Sequence, residues 1–518
     1  MVADGAGNVY VTGSIAGTVT FGGVTLTATS SNSIFVAKWR QATGSCVWAQ
    51  VIGATSLLSA RAIAVSGSNI YVTGDFSGVA TFGTTTLTCA SSSQNIFVCK
   101  LTDLGTSASI GWAVRAGGST SSDVAYGISV QGSAVYVAGR FSSDVASFGS
   151  VDLVNPSGRP DSFVAKLADN GSTGNFVWAQ RLGGVDNDEA FAVTSVGSNV
   201  YVTGYFRGAL VGNGAGLATA GFASDVFVAK FVDGGASSSL GWVVQAGGTD
   251  ADQALAIAAT GTGVYVTGYF TSSTATFGLH TITNSGPMSS ADLFLAKLTD
   301  GGASAAFAWV RQSGGSSDEL GSALAVQGTN VFVAGSFGSS QTGSTPASFG
   351  PATLSNAGLR DVFVAKLVDV GSPSFGWAQQ AGGAGNDAPT AVVVSGTGVD
   401  VGGYVVAPAS FSSITLTGAP TGPTGFLATL TDPTLTATAA GRALVPAQLF
   451  PNPARRTAAL RLPVGTAPVP LVLTDAQGRA VRCYPAPFGS EATLDLSGLP
   501  AGLYLLRGIG LALRLTVE

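Results

Sequence analysis

The chain has 518 residues, 73 of them glycine, with 10% charged side chains and a formal net charge of −5. No basic cluster accompanies its 23 Lys and Arg, which argues against nucleic acid as a partner, and no stretch reaches the ~18 uninterrupted apolar residues of a membrane span. With 46% hydrophobic residues punctuated by Gly, Ser and Thr, the chain reads as all-β, its apolar content buried in strands.

The first strand signal, GNVYVTG at Gly7 to Gly13, returns along the chain with its central residue at Tyr10, Tyr71, Tyr136, Tyr201, Tyr265, Phe332 and, in a degenerate copy, Asp400. The gaps are 61, 65, 65, 64, 67 and 68 residues. A second strand signal, FVAK and its variants, keeps the same beat at Lys38, Lys100, Lys166, Lys230, Lys297 and Lys366, with Thr429 in the seventh copy. A third supplies Trp48, Trp112, Trp178, Trp242, Trp309 and Trp377 and is missing from the seventh. A period of this length marks a repeat architecture.

Within the third unit, AYGISVQGSAVYVAGRF predicts two strands about a tight turn, and SFVAKLADNGSTGNFVWAQRLGG two more about a longer polar turn. A connector built on Phe-Gly, as at Phe21, Phe82, Phe148, Phe277 and Phe349, lies between the pairs. The strands are apolar at nearly every position, as expected for sheets covered on both faces. Seven such sheets around an axis predict a seven-bladed β-propeller over residues 1–431, with an open array as the alternative, because the seventh unit lacks its tryptophan strand. TLTATAA at 434–440 is the candidate to fill that edge. In VYVTG the two valines are expected to face one neighbouring sheet and Tyr and Thr the other, with the Gly ending the strand.

The chain's six lysines are all repeat lysines. The expected role is an ion pair with a carboxylate after the Gly-Gly turns, Asp123, Asp188, Asp252, Asp318 or Asp387; the alternative is a lysine ring that binds a polyanion. Those turns also carry weak calcium candidates, Asp186 with Asp188 and Asp250 with Asp252, against capping of a tight turn. Cys89 and Cys99 either bridge neighbouring strands, or Cys99 stands in for the small Ala of FVAK. His280 is the only histidine, in a variable loop, and neither a hydrolase elbow, a zinc motif nor a nucleotide loop is present, so no cofactor is expected.

Half of the 20 prolines fall beyond residue 431, where the period stops. Residues 432–447 read as a linker and 448–518 as six or seven short strands of a small β-sandwich.

On the strands GNVYVTG, D-x-F-V-A-K and W…GG in fixed order, the first 430 residues resemble the beta-propeller repeat family of bacterial secreted proteins. That resemblance implies a scaffold or binding surface in an extracellular setting. The C-terminal segment resembles the type A sorting domain of the type IX secretion system, an Ig-like β-sandwich. The match rests on Pro451, Asn452 and Pro453, on Asp475 and Gly478 in the central turn of LVLTDAQGRAV, and on Leu499, Pro500, Gly502 and Tyr504 in LDLSGLPAGLYLLR. It implies the type IX machinery as partner, delivery to the outer-membrane surface or medium, and a signal peptide that MVADGAGNVYVTG does not supply. The expected function is a non-catalytic scaffold whose ligand is a glycan or surface protein. The alternative is an extracellular polysaccharide lyase or glycosidase with its site in the propeller channel.

Overall fold

The structure is a computed structural model. It describes the chain except residues 31–32, 91, 213–214, 220–222, 288–289, 340–345, 418–421, 433, 436–447, 451–452, 462–470, 476–478, 485–490, 509–510 and 518. The described residues are all-β apart from one 3-10 turn, Gln41–Thr43, and no helix is long and apolar enough to cross a membrane. The chain divides into Met1–Asp432 and Pro433–Glu518.

In the first part each unit is an antiparallel sheet. The third unit shows the order: a leading strand Val124–Gln131, a tyrosine strand Ala134–Phe141, a lysine strand Asp161–Asp169 and a tryptophan strand Gly174–Leu182, paired in that sequence. Units one to six have four strands. The seventh has three, Ala388–Ser395, Gly398–Val406 and Pro423–Thr431. The Phe-Gly connector is itself a short hairpin, Val145–Phe148 with Val151–Val154 in the third unit. From the second unit on, it reaches back to pair with the end of the preceding tryptophan strand, as in Gly53 with Thr81 and Gly183 with Val211. Its phenylalanine packs on the phenylalanine of the lysine strand, with Phe148 and Phe163 centroids 4.8 Å apart.

The row Tyr136–Lys166–Trp178 lies straight across three strands, because Lys166 pairs in register with both aromatics. Side chains alternate across a strand, so this row and the valines beside it point to opposite faces. The clusters follow that rule. Tyr201, Val226, Val228 and Trp242 of the fourth unit pack against Val264, Val266 and Phe294 of the fifth. A buried aromatic removes roughly 150–250 Å² from water, worth about 4–6 kcal/mol at ~25 cal/mol per Å². Repeated from the first junction to the fifth, that burial holds each sheet to the next. The threonine of the strand is buried at no polar cost, since Thr203 Oγ1 donates to the Phe227 carbonyl at 2.8 Å.

The glycine of VYVTG does not end its strand, contrary to expectation. Gly204 lies inside Asn199–Arg207, opposite a bulge in the leading strand between Ala190 and Ala192. A Cβ there would strike the Glu189 carbonyl oxygen, and Gly74, Gly139, Gly268 and Gly335 face equivalent backbone oxygens. The residue is glycine because the bulge brings backbone against it.

The leading strands pack side by side in sequence, and that of the seventh unit touches Val2–Ala3 of the first. At the same junction Gln41 Nε2 donates to Asp400 Oδ2 at 2.6 Å, across 359 residues of sequence. Of the segment 434–440 expected to complete the seventh sheet, only Thr434 and Leu435 are described, and neither is in a strand. All four cysteines are free, so Cys89 and Cys99 form no bridge. Cys99 is fully buried in the position that Ala37 and Ala165 hold in their units.

The second part has a three-stranded sheet, Gln448–Phe450, Thr457–Arg461 and Glu491–Asp495, and a four-stranded one in the order Ala480–Tyr484, Leu471–Thr474, Gly502–Gly508, Leu511–Val517. They share a core that includes Leu460, Leu473, Leu494, Tyr504 and Leu506.

Candidate functional site

The repeat residues carry structure. In the fourth unit Lys230 Nζ lies 2.7 Å from Asp300 Oδ2, Tyr201 Oη donates to the same oxygen at 2.7 Å, and the Trp242 indole N–H donates to Oδ1 at 2.9 Å. Asp300 belongs to the next unit, three residues past its lysine. Asp103, Asp169, Asp233, Asp369 and Asp432 hold the same position and take Lys38, Lys100, Lys166, Lys297 and Lys366. The lysine partners are therefore not the turn acids Asp123, Asp188, Asp252, Asp318 and Asp387. Burial pushes the Asp300 carboxyl up, but hydrogen bonds from Lys230, Tyr201, Trp242 and the Gly302 amide outweigh it and hold it at about 2. A lysine consumed in this way, 5% exposed for Lys230, is no site for a polyanion.

The turn acids cap backbone. Asp188 accepts the Gly184 and Arg207 amides at 2.7 and 3.1 Å, and Asp252 accepts the Gly248 and Thr271 amides and the Ser272 hydroxyl. Burial pushes their carboxyls up to about 8 and about 6. Donors surround these oxygens, which is a poor cradle for a cation. Asp186 is half-buried and Asp250 exposed, and among the described residues no group of three or more His, Cys, Asp or Glu is placed to hold a metal. In the sixth unit Glu319 stands at the capping acid's position, four residues past Gly315, but neither of its carboxylate oxygens has a hydrogen-bond partner, and the expected Asp318 accepts the Ala291 amide and pairs with Arg360. Glu319 is fully buried, and burial, then the charge of Asp292, pushes it up to about 9.

What differs between units is the residue each leading-strand bulge projects. The bulge always falls opposite the VYVTG glycine, and its unpaired residue is Arg61, Tyr126, Phe191, Leu255, Ser322 and Thr390 in units two to seven. A bulge re-aims a side chain, so one constant backbone feature displays six different side chains. From the second unit to the fourth these make one surface. The Arg61 guanidinium lies 5.8 Å from the Tyr126 ring, Tyr126 and Phe191 are 5.3 Å apart, and Phe191 and Tyr205 are 5.7 Å apart. Beneath the rings, Arg61 Nε donates to Asp75 at 2.9 Å, and Arg140 and the Tyr205 hydroxyl both reach Glu189 Oε1 at 3.2 Å.

Asp75 is fully buried, its Oδ1 taking Arg61 and its Oδ2 shut away from the surface without a hydrogen-bond partner. Burial raises its pKa, with Arg61 opposing. Burial, then the Glu189 charge, raises the phenols of Tyr126 and Tyr205, which therefore remain protonated donors. The surface thus offers stacked rings, the Arg61 guanidinium, two phenols and, at Glu189, a half-buried carboxylate. The residues were missed because the eye follows what repeats; reading the leading-strand column as A-R-A, A-Y-G, A-F-A would have marked the variable position. His280 lies elsewhere, in the connector hairpin of the fifth unit.

In the second part, Asp475 closes its hairpin by accepting the Arg479 amide and Nε at 3.0 and 2.8 Å. Leu499 packs on the core, Gly502 opens the strand Gly502–Gly508, and the Tyr504 hydroxyl donates to the Pro500 carbonyl at 2.8 Å. Pro453 is exposed, while Pro451, Asn452 and Gly478 lie outside the described residues. No family model matches the chain, and no curated protein matches it.

Proposed function

We propose that Met1–Asp432 is a seven-bladed β-propeller serving as a non-catalytic binding scaffold, and that its ligand is a glycan held on the bulge residues of the second to fourth units. The propeller reading is supported by the cyclic succession of leading strands and by the Gln41–Asp400 hydrogen bond between the first and last units. The ring surface Arg61–Tyr126–Phe191–Tyr205 carries the functional reading. Aromatic faces suit the apolar faces of pyranose rings, while guanidinium, phenol and carboxylate groups suit hydroxyls. Each carboxylate of the patch is held by an arginine, and among the described residues no histidine or activated nucleophile lies beside it, an arrangement that favours binding over catalysis.

A glycan-array screen of the purified chain tests this. Retention of one glycan class is expected, falling about tenfold or more in Phe191→Ala and in Arg61→Lys, which removes the guanidinium but keeps a cation beside buried Asp75, with the melting temperature nearly unchanged, as for the anchors of a binding hot spot. If no glycan is retained, or both variants bind like the parent, the reading fails.

The C-terminal unit, on this account, is an Ig-like sorting domain of the type IX secretion system, so the propeller works outside the cell or on the outer-membrane surface. Its two sheets over one core and the Tyr504–Pro500 tether are compatible with that assignment. In a bacterium with the system, a reporter bearing a signal peptide and residues 440–518 should reach the medium or surface, and one cut after residue 500 should stay in the periplasm. Equal export of the two would remove the assignment.

A further inference from the structure

Among the described residues the seventh sheet is one strand short of the other six. Its third strand, Pro423–Thr431, pairs with Gly398–Val406 on one side and, among the described residues, with no strand on the other. Beside it lies a cavity of about 490 Å³, walled by Val362 and Val364 of the sixth unit, Phe411 and Ile414 of the connector hairpin, and Phe426 and Leu430 of the strand itself. Ile414 is 64% exposed at its rim. An unpaired strand edge beside an apolar berth is a template for strand addition.

The six completed units show what such a berth takes. Two residues before each tryptophan stands an apolar side chain, and where it is phenylalanine it packs on the connector phenylalanine: Phe176 lies 5.3 Å from Phe148, and Phe307 5.4 Å from Phe277. The residue after the tryptophan is Ala or Val and faces the preceding unit, as with Ala113, which packs among first- and second-unit residues. In the seventh unit Phe411 stacks on Phe426 at 4.8 Å, and no residue of a fourth strand covers it among those described. In the first five units the tryptophan indole N–H donates to the acid of the next unit; at the seventh junction Gln41 stands in that acid's position and offers an amide carbonyl as acceptor.

We infer that Pro423–Thr431 is a docking edge for an extended segment of another polypeptide, carrying an apolar residue, a Gly, Ala or Val, a tryptophan and then Ala or Val. The six segments of this chain with that pattern, such as FGWA at 375–378, already lie in their own sheets, so the occupant is not one of them. The added strand would run antiparallel to Pro423–Thr431, as every tryptophan strand does to its lysine strand.

The test uses a fluorescein-labelled decapeptide with the sequence of Ser374–Gly383, titrated into the full chain and followed by anisotropy. Saturable binding with a Kd of roughly 10–100 µM is expected, weakened about tenfold by Ile414→Asp or by glycine in place of the peptide tryptophan, and unchanged by Tyr126→Ala. Hydrogen exchange should show the amides of Pro423–Thr431 exchanging faster than those of Asp361–Val368 in the free chain and slowing when peptide is added. Absence of saturable binding, or indifference to Ile414→Asp, overturns the inference. So does equal protection of the two strands in the free chain, which would mean that the chain covers the edge itself.

Discussion

Asp300→Ala is expected to destabilise the first part of the chain by about 3–5 kcal/mol, the range for removing one partner of a buried ion pair. The carboxylate receives Lys230, Tyr201 and Trp242 together, and the Lys230 and Asp300 side chains are each only 5% exposed. Its loss leaves an ammonium, a phenol and an indole N–H without their acceptor in a dry junction. That is a larger effect than the ~1 kcal/mol appropriate to an exposed rim pair. Denaturant unfolding of the purified variants measures it, and a loss below about 1 kcal/mol would contradict the burial argument. A double variant, Lys230→Met with Asp300→Leu, should recover much of the loss, because no charge is then left uncompensated.

The same geometry sets a pH dependence. Asp300 is held at about 2 in the folded chain, below the ~3.9 of an unfolded aspartate. Its contribution is therefore present above about pH 4 and is lost as pH falls towards 2. Asp188 and Glu319, raised to about 8 and about 9, act in the opposite sense: their contribution is complete below the unfolded carboxylate range and is lost as pH rises through those values. Asp300→Ala should flatten the acid limb of the stability profile and leave the alkaline limb as it is.

The unit boundaries, the four strands of the first six units and the facing of Tyr and Val to opposite neighbours were legible in the sequence, because a 61-to-68-residue beat repeats them and strand alternation has only two faces. The lysine partner was not. Asp300 stands three residues past Lys297 in plain view, but it serves Lys230 of the unit before, and a contact between successive units is invisible when one unit is read alone. The VYVTG glycine misled for a related reason: its neighbour is a bulged strand whose extra residue shows in no local pattern. Gln41 and Asp400 were each visible as departures from their columns, Gln for Asp and Asp for Tyr. Only their 2.6 Å contact shows that the two departures answer one another across the ends of the array. The bulge residues Arg61, Tyr126 and Phe191 went unnoticed because nothing about them recurs.

The central claim is that the seven units close on themselves, and excising one unit tests it most directly. Deleting residues 190–253 joins Glu189 to Ala254, which holds the place of Ala190 in the next unit. Lys166, Tyr136 and Trp178, which now share Asp233, would find Asp300 in its place, so every local junction can re-form. What cannot re-form unchanged is the closure, since six sheets must then span the turn that seven complete. Scanning calorimetry of the parent should give one cooperative transition for the first part. The account predicts that the deletion variant loses it, melting broadly and at least roughly 10 °C lower, whereas an open array would lose only one unit's increment. A deletion variant that melts in a single cooperative transition within a few degrees of the parent would contradict closure.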